Sequence, residues 1–226
     1  MDRFLFSSVE NGPYQEKVIF QDNIKSIAEY IYSPDGKLIQ CIYRDDKQSY
    51  EGEVKYSYKN GRLVLEEVFG PTKSLLEKKE FKYNAQDQLT DVFIYDETNS
   101  LAVSWKLSGV QDGLPKSAEG KYRDAKVERE IFKVENYAQI PNSKVQNLFD
   151  DKSNIMGQIF YRYDPEGKLL EREYQQGNTF RLQTFEYDKD KALVSVVFHV
   201  KQGETWRKVK EHKLLYKDRK EIITGK

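Results

Sequence analysis

One phrase recurs along this chain: aromatic, any residue, aromatic, a short polar turn, then an aliphatic residue. It reads "YIYSPDGKL" at Tyr30–Leu38 and "YRYDPEGKL" at Tyr161–Leu169. In a β-strand, residues one apart from a common neighbour share a face, so the two aromatics of each pair point the same way. Taking the second aromatic as an anchor gives Tyr32, Tyr58, Tyr83, Tyr163 and Tyr187, at intervals of 26, 25, 80 and 24 residues. The long interval has room for two degenerate units, anchored at Leu107 ("WKL") and Val134 ("FKV"), and Phe6 and Tyr216 extend the series outward. Nine anchors then follow one another at 24–29 residues. A fixed period of this length is the mark of a repeat architecture.

A second spacing explains the first. The next aliphatic residue lies six positions after Tyr32, Tyr83, Val134, Tyr163, Tyr187 and Tyr216, five after Tyr58 and seven after Leu107. In "YSPDGKL", Pro34-Asp35-Gly36 suits a three-residue hairpin loop, a type I turn followed by a left-handed residue. Tyr32 then sits across from Leu38. In "YKNGRL" the loop shortens to Asn60-Gly61, a type I′ signal, and the offset falls to five while Tyr58 and Leu63 remain partners. Each phrase is a β-hairpin, and its tyrosine and leucine are a cross-strand pair. Asp87 and Lys191 stand where the loop prefers glycine, and the region from about Asn99 to Asn154 has the longest linkers and least regular turns.

Between the turns, "VKYSYK" alternates Val54, Tyr56 and Tyr58 with Lys55, Ser57 and Lys59, as a strand with two distinct faces does. "PTKSLLEKKEF" (Pro71–Phe81) reads as a hairpin linker running into a strand. The register therefore predicts one all-β domain over residues 1–226, an antiparallel meander of nine hairpins. Its regular units are 28–98 and 159–200, and its degenerate ones 1–27, 99–158 and 201–226. Nine hairpins imply up to 18 strands, and open sheets beyond about ten strands curl, split or close. An elongated curled sheet or spiral shell with capping terminal units is the expected architecture. A transmembrane barrel is disfavoured, because the face opposite the tyrosines is Lys, Glu and Ser where lipid demands an apolar band.

The five regular units resemble the YD-repeat, or Rhs-type, hairpin, whose "YxYDxxGxL" pattern is met at Tyr161–Leu169. "FEYDKDKAL" (Phe185–Leu193) keeps the Tyr-Asp pair, whereas Ser33, Lys59 and Asn84 replace the aspartate elsewhere. MORN-like repeats share such short hairpins. The resemblance implies a bacterial extracellular or cell-surface protein with a continuous β-surface that wraps or binds other molecules, and it implies no catalytic residue. The richness in Lys, Glu and Tyr also resembles spirochaete surface lipoproteins built on extended sheet.

Charge narrows the partners. Lys plus Arg and Asp plus Glu both number 37, so the basic excess of a nucleic-acid binder is missing, while 16 Tyr and 12 Phe mark a folding chain. A lone cysteine, Cys41, forms no internal disulfide, which suits the cytosol and a disulfide-free envelope protein alike. No apolar run reaches the roughly 18–20 residues of a membrane-spanning helix. "MDRFLFSSVENG" lacks the pattern of a signal peptide, so the protein is either cytoplasmic or a surface protein whose leader, with a possible lipid anchor, has been trimmed.

Catalytic and cofactor chemistry finds no footing. His199 and His212 have no zinc-type spacing, and no phosphate-binding or nucleophile motif occurs. Asp45-Asp46, Asp150-Asp151 and Asp188–Asp190 read as acidic turns rather than cation sites. The expectation is a protein without enzymatic activity, metal or cofactor. It is a binding or scaffold protein of the bacterial envelope, presenting a broad β-surface to a protein or glycan. The alternative is a cytosolic interaction or immunity-type protein on the same fold.

Two surfaces are candidates for the partner. Tyr43, Tyr174 and Phe198 each lie five residues after a turn leucine, an odd separation that places them opposite the Tyr–Leu pair unless a bulge intervenes. They would form an aromatic ladder, a site for sugar or protein if exposed and a core if covered. Trp206, Arg207, Lys208 and Lys210 open the basic segment "WRKVKEHKLLYKDRK", read either as an anion-binding patch or as charges guarding a sheet edge.

Overall fold

Sixteen antiparallel strands follow one another in chain order and close into a barrel, in a computed structural model that describes residues 12–111, 114–124, 129–150 and 152–217. The first eight are β1 (Gln15–Phe20), β2 (Asn23–Tyr32), β3 (Leu38–Asp45), β4 (Tyr50–Lys59), β5 (Arg62–Phe69), β6 (Leu75–Tyr83), β7 (Leu89–Tyr95) and β8 (Leu101–Gln111). The rest are β9 (Leu114–Tyr122), β10 (Arg129–Asn136), β11 (Ser143–Phe149), β12 (Ile155–Tyr163), β13 (Leu169–Gln176), β14 (Thr179–Tyr187), β15 (Leu193–Gln202) and β16 (Thr205–Leu215). The seam joins β1 to β16, with Gln15 opposite Leu215 and Phe20 opposite Lys210. This corrects the open curled sheet or spiral shell of nine hairpins. Strand twist accumulates in one sense around the sheet, and after sixteen strands the two end strands meet and satisfy each other's free N–H and C=O groups.

The regular phrases pair as their spacing requires: Tyr32 with Leu38, Tyr58 with Leu63, Tyr83 with Leu89, Tyr163 with Leu169 and Tyr187 with Leu193. The degenerate units do not. Leu107 pairs with Ala118 rather than Leu114, and Val134 with Gln146 rather than Ile140, because β8 and β10 continue past these anchors before they turn. The units reaching Phe6 and Ile222 lie outside the described residues.

Among the described residues one five-residue turn is used eight times, four at each end of the barrel. It begins at Ser33, Asn84, Asp164 and Asp188 at the end where β1 begins and β16 ends, and at Asp45, Gly70, Asp96 and Asp150 at the other. In each, the fourth residue donates its N–H to the carbonyl of the first, and that fourth residue has positive φ: 84° at Gly36, 87° at Gly167, 64° at Asp87 and 67° at Lys191. The aspartate of the Tyr-Asp phrase has a defined task. Asp164 Oδ1 accepts the N–H groups of Glu166 and Lys168 at 2.9 and 2.8 Å, and Asp45, Asn84, Asp96, Asp150 and Asp188 do the same in their own turns. The acidic turns are thus occupied by backbone amides.

Each such turn leaves a bulge behind it. Tyr32 pairs with Leu38 but Ile31 pairs with Gln40, so Ile39 is the extra residue and every later side chain on β3 changes face. The same shift occurs on β7, β13 and β15.

The concave face is the tyrosine face. It carries Cys41, Val92 and Trp105, which are 0, 0 and 2% exposed, within clusters that run from Leu63 through Phe81 and Leu107 to Ala118. At one mouth the anchor tyrosines reach sideways across it: Tyr58, Tyr83, Tyr187 and Tyr216 each donate a hydroxyl proton to the turn-leucine carbonyl of the preceding hairpin, at 2.8–3.0 Å. Successive hairpins are thereby stapled along two arcs, from β3 to β6 and from β13 to β16. The convex face carries salt bridges such as Lys55–Glu53 at 3.0 Å, Lys78–Glu80 at 3.2 Å and Lys208–Glu211 at 2.7 Å.

Candidate functional site

Three features line the inside and one mouth of this barrel: an apolar wall, a polar seam and a groove between two turns. Sixteen strands enclose more space than their own side chains fill. Tyr43 bears this out, since it faces inward yet is 38% exposed.

The seam is held by a carboxylate shared between strands. Glu16 of β1 accepts from the Tyr30 hydroxyl of β2 with one oxygen and meets His212 Nδ1 of β16 with the other. Burial alone would raise the Glu16 pKa, but the bonds from His212 and Tyr30, with the charge of Lys210, outweigh it and hold the carboxyl below its ordinary value. Burial, then the Glu16 charge, pushes the Tyr30 phenol well up, and burial does the same to Tyr56. Cys41 lies among them with its thiol pushed up to about 12 by burial, so it stays protonated and unreactive. Further round, Lys79 bridges Glu66 at 2.6 Å and Glu77 at 3.1 Å, and these carboxylates outweigh the burial that would otherwise lower its pKa. Among the described residues no group of three or more His, Cys, Asp or Glu could hold a metal ion.

The aromatic ladder changes sides. Because of the bulge after each turn, Tyr43 pairs with Ala28, Tyr174 with Ile159 and Phe198 with Gln183, which places all three on the concave face with the Tyr–Leu pairs. Phe198 packs on the His212 ring at 4.7 Å between centroids and takes the Lys210 ammonium over its face at 4.3 Å. The basic segment is divided by strand alternation. Arg207 and Lys210 share the register of inward-facing Val200 and Phe198, whereas Trp206 and Lys208 pair with outward-facing Lys201 and His199. β15 pairs β16 from Thr205 to Lys213 and β1 pairs it from Lys210 to Leu215, so Trp206, Arg207 and Lys208 extend past the end of β1.

Sequence reasoning missed Glu16 and His212 as partners, because 196 residues separate them and only closure brings them together. It also missed a groove of about 560 Å³ at the mouth where β1 begins and β16 ends, between the β10–β11 and β12–β13 turns. Tyr137, Ile140, Pro141, Tyr163 and Pro165 form its walls, with Lys144 beside them. Its signal was present in the sequence as the irregularity of the units before Asn154.

No protein-family model matches the chain. No curated protein matches it either. Among solved structures it is similar to a porin-like protein from Bacteroides uniformis ATCC 8492, at 10% identity over 92% of this chain and 96% of that one, with a TM-score of 0.60. The fold is that of a porin-like barrel. A protein with unknown function from Bacteroides fragilis NCTC 9343 aligns over 70% of this chain and 88% of that one, also at 10% identity, but its TM-score of 0.20 carries no weight.

Proposed function

We propose that this chain is a non-enzymatic binding protein of the bacterial envelope, a barrel that stands in water and receives a small ligand at its aromatic inside or mouth. The observation that carries the reading is the sign of its two faces. Lys55, Lys78 and Lys106 lie mid-strand on the convex face, with Lys133 among them further round. A lysine facing lipid at the bilayer midplane costs about 2–4 kcal/mol, so several together exceed the net stability of many domains. The outward-facing aromatics Phe69, Tyr95 and Phe93 are covered by the ammonium groups of Lys55, Lys78 and Lys82 at 4.2–4.9 Å, which places charge where a lipid-facing barrel has bare rings. Similarity to a porin-like Bacteroides protein supports the envelope part of the reading. With Tyr43, Tyr174 and Phe198 on the concave wall, the partner is small enough to enter, a glycan rather than a folded protein laid along the outside.

Purification without detergent tests this. The protein is expected to be monodisperse in detergent-free buffer, to stay out of floated liposomes and to pass no current in a planar bilayer. Stepwise conductance, or aggregation relieved only by detergent, would overturn the proposal.

A further inference from the structure

The tyrosine staples run in two arcs, from β3 to β6 and from β13 to β16, and the irregular turns lie between them. Between β11 and β12 the preceding turn spans residues 137–142 and has no leucine closing it. Tyr137 accepts the Ile140 N–H at 3.2 Å, and Ile140 stands outside the ladder, 46% exposed. Asn142, at φ 54°, carries the chain back so that its carbonyl meets the Tyr163 N–H at 2.9 Å. The two turns are held apart at their tips while their bases remain paired, and the 560 Å³ groove is the space between them.

We propose that this groove binds a neutral saccharide of two or three rings, an inference that rests on the glycan-binding reading above and names its place. Its volume falls within the range of pockets that enclose small ligands. Tyr137, Pro141 and Pro165 offer ring faces for the C–H surfaces of a sugar, beside the Tyr163 ring, which the Lys144 ammonium covers on one side. Asn136 and Asn142 offer amides, which both donate and accept as sugar hydroxyls do, while the buried Ser143 hydroxyl donates to the Pro141 carbonyl at 3.3 Å. Charge excludes an anion. Lys144 Nζ lies 5.6 Å over the Tyr163 ring, the Asp164 carboxylate sits in the same groove, and that carboxylate is engaged by its own turn amides. One cation and one anion leave the groove without net charge, so the ligand is held by stacking and hydrogen bonds.

The test is amide chemical-shift mapping of the ¹⁵N-labelled protein with cellobiose, maltotriose and N,N′-diacetylchitobiose in turn. At least one sugar is expected to shift amides within residues 136–144 and 163–167. Lys144→Ala and Ile140→Asp should each weaken that sugar about tenfold, the loss of one charge-assisted bond or one apolar contact, with an unchanged melting temperature. The proposal is overturned if none of the three sugars shifts those amides, or if an octaproline peptide binds there more tightly than any of them. Shifts confined to Tyr43, Tyr174 and Phe198 would also overturn it while leaving the broader binding function intact. Conductance in a bilayer would remove that function whatever the sugars do.

Discussion

The wall from β4 to β9 and the seam of β16, β1 and β2 use the same inward-facing positions in opposite ways. On the wall they hold Leu63, Phe81, Val92, Trp105, Leu107 and Ala118, one apolar cluster beside the Lys79–Glu66–Glu77 bridge. At the seam they hold Glu16, Tyr30 and His212, joined by hydrogen bonds. Apolar burial is strong but indifferent to partner, whereas a shared carboxylate accepts only the register that brings both donors to it. The wall therefore supplies stability, and the seam supplies the choice of which strand closes the barrel.

The largest effect should come from the wall. Trp105 lies over Gly120, where an added Cβ would approach the indole ring to 2.7 Å, so no neighbouring side chain can refill the site. Trp105→Ala should cost about 3–5 kcal/mol in a denaturant melt. A loss below 1 kcal/mol would show that the wall is not the stabilising half.

A smaller and pH-dependent effect belongs to the seam. Glu16→Gln should cost about 1–3 kcal/mol at neutral pH, because the buried donors lose an ionised acceptor. The Glu16 carboxyl is held below its unfolded value, so its contribution is complete above that value, roughly pH 4.3, and is lost as pH falls through the lower folded one. The wild-type protein should lose stability on acidification, and Glu16→Gln should lose less. Parallel pH curves would remove Glu16 from the account.

The turns should respond least, and in opposite directions. Gly167→Val forces a β-branched residue to φ 87° and should cost about 1–2 kcal/mol. Lys191 already sits at φ 67°, so Lys191→Gly should stabilise by up to about 1 kcal/mol, read as a shift in melting midpoint. A destabilising Lys191→Gly would separate the two turns.

The hairpins were legible because their signal is local: Tyr32 and Leu38 are six residues apart and one turn chemistry fixes both. The face of Tyr43, Tyr174 and Phe198 was not, since a single bulge residue such as Ile39 inverts a strand's parity without leaving any mark in composition. Closure was hidden for a different reason. It depends on accumulated twist and on β1, a short strand lacking the repeated phrase, meeting a partner almost a whole chain away. The groove lay in the region where the repeat lapses, so the period that revealed the fold passed over it.

Closure is the central claim, and a cross-link across the seam tests it most directly. Lys17 and Lys213 are directly opposed on β1 and β16. Paired antiparallel residues have Cα atoms about 4.5–5.5 Å apart, within the range a disulfide spans. In a Cys41→Ser background, the double variant Lys17→Cys and Lys213→Cys should oxidise to an intramolecular disulfide, seen as a faster band on a non-reducing gel that disappears on reduction. Thiols that remain free, or that form only intermolecular dimers, would mean that the end strands do not meet and that the sheet is open.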